Sequence, residues 1–252
     1  MNIWAIADLH LAFGAPHKTM EVFGPQWAGY AGKIEREWRA LVQPEDLVLI
    51  AGDISWAMSA EQAQVDLEWI EALPGIKVLI KGNHDSWWSS LSKVRQILPP
   101  SIHVIQNSVF SYQGIFIAGA RLWDTQEYGF NACIDYKPNP VASTSKEEEP
   151  DPEKIFKREL ERLELSLKAL PKEAIVRMAM THYPPIGLDL QPSRASTLLE
   201  KYNVSQCVFG HLHNVKKEKP LFGIARGVAY HLTSADYLNF KPLKIHSISY
   251  DV

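Results

Sequence analysis

The amino-acid sequence predicts an α/β fold with an α+β admixture, in which parallel βα units are combined with hairpin-like strands. Short apolar runs of the length typical of fully buried strands recur along the chain, and amphipathic segments separate several of them. The runs lie at residues 4–7, 47–51, 78–80, 175–180 and 207–209. Closely spaced β-rich segments indicate antiparallel additions to these units. Those segments lie near residues 102–105, 108–112, 115–120, 228–233 and 243–250.

Three helices are predicted from apolar spacing and capping residues. The stripe of the first is formed by Trp27, Tyr30, Ile34, Trp38 and Leu41. Ser59 followed by Gln62 resembles a capping box, which predicts a helix start at that point. Asp151-Pro152 offers an N-cap and a proline at the first helical position. The stripe of that last helix is formed by Phe156, Leu160, Leu163, Leu167 and Leu170.

Length and composition predict one large domain over residues 1–252. With 252 residues, of which 46% are hydrophobic and 22% charged, the chain is long enough to bury a full core. Residues 124–150 depart from this pattern, because they contain three prolines, a Ser-Thr-Ser segment and an acidic run without a sustained period. A loop of that length is typically functional or disordered, so it is predicted to be a lid or a mobile insertion.

The net charge and the absence of targeting signals limit the kinds of partner and the location that we expect for this protein. The net charge of −3 and the pI near 6.3 disfavour an electrostatic grip on long nucleic acid. The apolar start lacks a basic region and reaches Asp8 too soon for a signal peptide, and no run is long enough to span a bilayer. We therefore expect a cytoplasmic protein without a membrane partner. The sequence identifies no protein partner. Cys133 and Cys207 are too few for a disulfide framework.

Side chains that bind metals follow most of the apolar runs. The clusters are Asp8 with His10, Gly52-Asp53, Gly82-Asn83-His84-Asp85, His182, and Gly210-His211-Leu212-His213. Each cluster supplies too few donors to hold a metal alone, but together they supply enough for two ions. Loops that leave the carboxyl ends of strands converge on one crevice, and a tight exit there favours glycine. The sequence therefore predicts a dinuclear metal centre.

This ordered set of motifs, spanning residues 8 to 213, resembles the calcineurin-like metallophosphoesterase superfamily. The resemblance implies a four-layer αββα sandwich of two facing mixed β-sheets flanked by helices, with the metals at one edge. It implies that Asp53 bridges two ions, and that His84 is a catalytic general acid that binds no metal. The remaining implied ligands are Asp8, His10 and His213 for the first ion, and Asn83, His182 and His211 for the second.

The donor types and the resemblance together predict the chemistry. Oxygen and imidazole ligands without thiolate favour two divalent or trivalent ions of Mn, Fe or Zn. We expect hydrolysis of a phosphomonoester or phosphodiester of a small molecule or nucleotide, by attack of a metal-bridging hydroxide, with Asp53 and His84 as the catalytic residues. The alternative is a catalytically weak metal-binding scaffold of the same fold that acts in protein–protein interaction. The full ligand set and His84 argue against that alternative.

One departure from the family's protein serine/threonine phosphatases narrows the substrate. Their Gly-Asp-x-x-Asp-Arg-Gly signature is absent, because Trp56 stands where the second Asp would be and no Arg follows. Protein phosphatase activity is therefore disfavoured. Aromatic residues near the motifs either pack beneath the metal loops or stack a nucleobase or aryl group. Further candidates are Asp85 as a hydrogen-bonding neighbour of the ligands, Trp88 and Trp123 at a pocket rim, and Arg121 and Arg194 as phosphate clamps.

Overall fold

A computed structural model describes residues 1–135, 151–216 and 221–248. Within these ranges the chain forms eleven strands and five α-helices. The strands are β1 (Asn2–Ile6), β2 (Leu47–Ile50), β3 (Ile76–Leu79), β4 (Ile102–Val104), β5 (Val109–Tyr112), β6 (Ile115–Ala120), β7 (Val176–Thr181), β8 (Gln206–Phe209), β9 (Ile224–Ala225), β10 (Val228–Leu232) and β11 (Leu243–Ser247). The helices are α1 (Tyr30–Leu41), α2 (Ala60–Glu71), α3 (Leu91–Ile97), α4 (Pro152–Lys168) and α5 (Arg194–Lys201).

The described strands form two mixed sheets. The first has the order β11-β1-β2-β3-β4, in which β11 is antiparallel to β1 and the other neighbours are parallel. The second has the order β5-β6-β7-β8-β10-β9, in which β5 and β9 are antiparallel additions to a parallel centre. The predicted combination of βα units with hairpin-like strands is confirmed.

Alternating side chains along the strands separate three apolar clusters. In β1, Ile3 and Ala5 point into a cluster between the two sheets, whereas Trp4 and Ile6 join a cluster with α1 and α2. On the other side, α4 and α5 pack against the outer face of the second sheet. This arrangement gives four layers, helices on each side of two facing sheets, and confirms the predicted αββα sandwich.

Capping explains where two predicted helices begin. Ser59 Oγ accepts a hydrogen bond from Gln62 N, and the Asp151 carboxylate accepts one from Glu153 N. The Gln62 side chain accepts from Met58 N instead of the cap residue, so the reciprocal bond of a capping box is displaced by one residue. Helices α3 and α5 were not predicted, since seven and eight residues are too few to establish a helical period.

The first part of the predicted insertion is anchored to the sandwich. Tyr128 Oη donates to the carbonyl of Pro184 over 2.8 Å, and Ile134 pairs with Val215 in an antiparallel bridge. Residues 136–150 lie outside the described ranges, so a lid or mobile insertion stays a prediction, as does the strand assignment of residues 249–250. No helix in the described part of the chain combines the length and the apolar character needed to cross a bilayer.

Candidate metal centre

The predicted ligands lie at one edge of the sandwich, beyond the carboxyl ends of parallel strands. The first sheet supplies Asp8 and His10 after β1, Asp53 after β2 and Asn83 after β3. The second sheet supplies His182 after β7, and His211 and His213 after β8. Because the two sheets face each other, these loops meet over the seam between them.

One group of donors forms around His10. The donor atoms of Asp8, His10 and His213 lie within 4.8 Å of one another. His10 Nε2 is 3.3 Å from His213 Nε2 and 3.6 Å from Asp53 Oδ2. Two imidazole nitrogens that converge on carboxylate oxygens can hold a cation through their lone pairs. This group matches the ligands implied for the first ion.

The second group forms around Asn83. Its Oδ1 lies 2.6 Å from His182 Nε2 and 3.2 Å from His211 Nδ1. His182 Nε2 is also 3.4 Å from Asp53 Oδ2, the same oxygen that faces His10. Asp53 therefore lies between the two groups, which is the position that a bridging carboxylate requires. Asp8 is shared as well, since its carboxylate also lies within 4.8 Å of the donors of Asp53 and His182.

The charges of the centre favour cation binding. Burial opposes ionisation of Asp53, but the imidazoles of His182 and His10 lower the pKa of that carboxyl well below its ordinary value. Burial also opposes the charge on His182, yet Asp53 and Asp8 raise its pKa to about 9. Burial lowers the pKa of His10 and of His211, which leaves both rings neutral at pH 7. Ionised carboxylate and neutral imidazole are the forms that bind metals, so an ion bound here would displace the proton that the raised pKa keeps on His182.

Asp85 connects the loops that carry the ligands. Its buried Oδ1 accepts hydrogen bonds from Ile54 N, Ser55 N and Trp87 Nε1, and its Oδ2 accepts one from Gly82 N. Burial and the nearby Asp53 raise the pKa of Asp85 to about 6. The side chain thus holds the loop after β2 against the loop after β3, the hydrogen-bonding position that its place in the sequence predicts.

The ligand loops have strained backbones and close contacts. Asp8, His10, Asp53 and His211 adopt left-handed conformations, with φ of 57°, 45°, 51° and 73°. Such conformations are costly for residues with a Cβ and persist where the surroundings enforce them. A Cβ atom on Gly82 would overlap Asp53 Oδ1 and its backbone nitrogen. The glycine is needed at this position because the ligand loop approaches its backbone.

Comparison with known proteins identifies the family of the chain that carries this candidate metal centre. The sequence profile described as calcineurin-like phosphoesterase matches residues 1–215, which include every residue of both donor groups. The chain belongs to the calcineurin-like phosphoesterase family. The resemblance stated from the motifs is therefore confirmed, and the family implies a dinuclear centre.

Individual relatives of this calcineurin-like phosphoesterase are distant. The gene 66 protein of Mycobacterium phage D29 is 36% identical over 85 residues, which are 33% of this chain and 40% of the phage protein. The gene 66 protein of Mycobacterium phage L5 is 36% identical over 87 residues with the same coverage. The crystal structure of phosphopantetheinyl hydrolase (PptH) from Mycobacterium tuberculosis matches with a TM-score of 0.56. It is 15% identical and covers 97% of this chain and 95% of that chain, which shows a shared fold.

Two ligand histidines are oriented by partners that sequence motifs do not mark. His182 Nδ1 lies 3.0 Å from the carbonyl oxygen of Ala51, which can only accept a hydrogen bond. Nδ1 therefore donates its N–H to this carbonyl, and the ring is oriented with Nε2 facing the centre. His213 Nδ1 lies 3.0 Å from Asp236 Oδ1, which raises the pKa of His213 to about 9 against the effect of burial. Asp236 follows β10 and belongs to none of the recognised motifs, so no local signal identified it.

Asp236→Asn is expected to weaken binding of the ion held by His10 and His213. Loss of the carboxylate makes the His213 ring less basic and less firmly oriented, and such changes typically lower metal affinity about 10- to 100-fold. Metal titration should show one weakened site and one unchanged site. Asp189→Asn, an exposed carboxylate elsewhere, is the matched control. Equal weakening of both ions would contradict this assignment.

His84 lies beside the donors, with Trp56 against it. The Trp56 ring stacks on His10 with centroids 4.9 Å apart and tilts against His84 at 4.6 Å. Among the described residues no side chain hydrogen-bonds to the His84 ring, and its backbone N–H donates to Asp53 Oδ1 over 2.8 Å. Partial desolvation lowers the pKa of His84 despite the attraction of Asp53. Packing on Trp56 therefore orients this imidazole where the protein phosphatases use an aspartate.

The candidates outside the metal ligands, which are the predicted rim and clamp residues, differ in their surroundings. Trp88 is 1% exposed, its Nε1 donates to Gln106 Oε1, and it lines a separate cavity between α4 and the ends of β3 and β6. Its role at a substrate rim therefore stays a prediction. Arg194 is paired with Glu127 at 2.8 Å and with Glu153 at 2.5 Å, so a phosphate clamp there stays a prediction that these ion pairs do not support. Trp123 does border a cavity beside His211. Arg121 stacks on that ring at 4.6 Å and pairs with Glu159 at 3.4 Å.

Proposed function

We propose that this chain hydrolyses a phosphomonoester or phosphodiester of a small molecule or nucleotide with two Mn, Fe or Zn ions. The observation that carries the proposal is the convergence of both donor groups on Asp53, with His84 beside them. Ions bound there supply Lewis acidity that offsets phosphoryl charge and activates the water nucleophile. Oxygen and nitrogen donors without thiolate support the choice of metals.

The chain's own residues would contribute orientation and a proton. Ala51 and Asp236 fix the ring nitrogens of His182 and His213, so that the donors are oriented before substrate arrives. His84 stays exposed next to the donors, where it can hold a proton for the leaving oxygen of the ester. A scaffold without catalysis would need neither the second donor group nor this histidine.

A cavity beside the centre supports a flat organic group on the substrate. Its volume is about 270 Å³, and His211 lines it together with aromatic side chains. Those aromatic residues are Trp123, Tyr128, Phe130 and Tyr183. Tyr183 connects the cavity to the centre, since its ring lies 4.0 Å from that of His211. Among the described lining residues Asp124 is the one carboxylate and there is no lysine or arginine, which favours a neutral aryl group or nucleobase over an anionic one.

The substrate class can be tested by screening the Mn-loaded protein. We expect activity on small aryl phosphoesters, with diesters at least as good as monoesters, and poor activity on phosphoproteins. The reason is the absence of the Asp-Arg-Gly segment after Asp53 together with the aromatic cavity. Release of phosphate and of nitrophenol would be measured on metabolite and diester panels. Efficient dephosphorylation of a phosphoserine protein, with no turnover of small esters, would overturn the proposal.

Phe130→Ala tests the aromatic cavity in the same screen. Removing this ring should raise the KM of a nitrophenyl ester more than that of glycerol phosphate, since only the aryl group loses a stacking partner. Phe110→Ala is the matched variant, because this ring contacts His103 at the far strands β4 and β5. Equal changes for both esters in Phe130→Ala would show that the aryl group binds elsewhere.

A further inference from the structure

A second cavity lies at the same edge of the sandwich. None of the predicted metal ligands is among its described lining residues. Its volume is about 290 Å³, and it is bordered by residues at the carboxyl ends of β3, β4 and β6 and by one face of α4. The segments that follow β3 and β6 contribute Lys81 and Arg121, and α4 contributes Arg158, Glu159 and Arg162. The cavity is therefore lined by four cationic side chains and one carboxylate among the described residues.

The single carboxylate cannot neutralise these cations. Glu159 is 2% exposed, and its Oε1 lies 2.6 Å from Arg162 Nη1, 3.4 Å from Arg121 Nη2 and 3.7 Å from Arg158 Nη2. Three guanidinium groups thus share one oxygen, and one negative charge offsets only one of them. Lys81 adds a further positive charge, although the whole chain carries a net charge of −3.

Two arginines elsewhere on this protein are paired differently. Arg39 has Glu35 at 2.9 Å, and Arg226 has Glu200 at 2.7 Å, so each guanidinium has a carboxylate of its own. In the cavity the cations outnumber the carboxylates, and low-dielectric walls focus their field on an anion. Guanidinium groups present planar pairs of donors that match the oxygens of phosphate.

The cavity is connected to the metal centre through Arg121. The Arg121 carbonyl accepts hydrogen bonds from His182 N and Tyr183 N, both at 3.0 Å. Its guanidinium stacks on Trp123, which borders the aromatic cavity beside His211. Arg121 therefore lines the second cavity, and its stacking partner Trp123 lines the first.

We propose that the cavity between α4 and the ends of β3 and β6 binds a phosphate group through Arg121, Arg158 and Arg162. The phosphate is either a second, non-reacting phosphate of the substrate or free inorganic phosphate. The first source rests on the function proposed above, whereas the second does not.

Binding of inorganic phosphate to the metal-loaded protein tests the site by calorimetry. Besides phosphate at the metal centre, the wild type should bind a second equivalent. Arg162→Gln should weaken that equivalent about tenfold, because it removes a charged donor to an anion. Glu159→Gln should strengthen it, since glutamine keeps an acceptor oxygen but removes the competing charge. Arg39→Gln, which removes an exposed arginine from α1, is the matched control and should change nothing. Identical phosphate binding by Arg162→Gln and Arg39→Gln would overturn the proposal.

Kinetics with two esters identify the source of the phosphate. One is the 4-nitrophenyl ester of thymidine 5′-phosphate, and the other carries an additional 3′-phosphate. If the substrate supplies the anion, Arg162→Gln should lower kcat/KM about tenfold more for the 3′-phosphorylated ester than for the plain one. Equal losses, with the calorimetric result intact, assign the cavity to free phosphate. Absence of turnover of both esters with the phosphate binding intact would count against thymidine diesters as substrates of the proposed function, would assign the bound anion to free phosphate, and would leave the anion site supported.

Discussion

Replacement of Asp53 by asparagine is expected to lower the occupancy of both metal ions together and to reduce phosphoesterase activity about 10³-fold or more. The structure gives the reason, because Asp53 Oδ2 is 3.6 Å from His10 Nε2 and 3.4 Å from His182 Nε2. One carboxylate oxygen thus faces both donor groups, and asparagine removes its negative charge. Loss of metal-assisted charge stabilisation amounts to several kcal/mol, which corresponds to such a rate factor.

Metal analysis of saturated protein measures this effect directly. Wild type should contain two ions per chain, and Asp53→Asn should lose affinity at both positions. Asp236→Asn serves as the contrast, since it is expected to affect one ion only. Asp189→Asn controls for the general effect of removing a carboxylate. A single ion in well-folded, metal-saturated wild type would refute the dinuclear assignment.

His84→Ala is expected to retain both ions but to lose about 10²- to 10⁴-fold in rate on an alkyl phosphoester. A nitrophenolate can depart without a proton, so the loss on a nitrophenyl ester should be far smaller. Metal content should be retained, because the contact between this residue and Asp53 is made by its backbone N–H, which alanine keeps. The two rates and the metal content would be measured on the same preparation.

The alternatives to a general acid give different results for His84→Ala. Equal losses on both esters would assign the ring to stabilisation of phosphoryl charge. Loss of metal would show that His84 is a ligand. His103→Ala is the matched control, since that exposed ring contacts Phe110 on β5, and its removal should leave the ratio of the two rates unchanged.

Much of the fold could be predicted because its signals are local. Strands buried on both faces need continuous apolar runs, and β1, β2, β3, β7 and β8 begin and end within about two residues of those runs. The caps Ser59 and Asp151 identified two helix starts from adjacent residues. Helices α3 and α5 have too few turns for a period to emerge, and their stability comes from packing against the outer layers of the sandwich.

For the candidate site too, residues in local motifs could be predicted from the sequence, and residues that act through distant contacts could not. The ligand types could be recognised because each occupies a strand end with a characteristic spacing. Asp236 could not, since its role depends on the contact between the loop after β10 and His213. Trp88 and Trp123 have equally aromatic side chains, and only the packing buries the first and places the second at the cavity beside His211. The ion pairs of Arg194 with Glu127 and Glu153 could not be predicted either, because both carboxylates are distant in the chain.

By itself, the sequence determined the class of fold, the motifs of the metal centre and the family, because apolar period and ligand spacing are encoded in neighbouring residues. The tertiary structure alone decided that one oxygen of Asp53 faces both donor groups and that Trp56 supports His84. It also decided that three arginines share Glu159 beside the centre. These relations depend on contacts between residues far apart in the chain. Burial and electrostatic interaction are set by distance in space, which the spacing of residues in the sequence does not give.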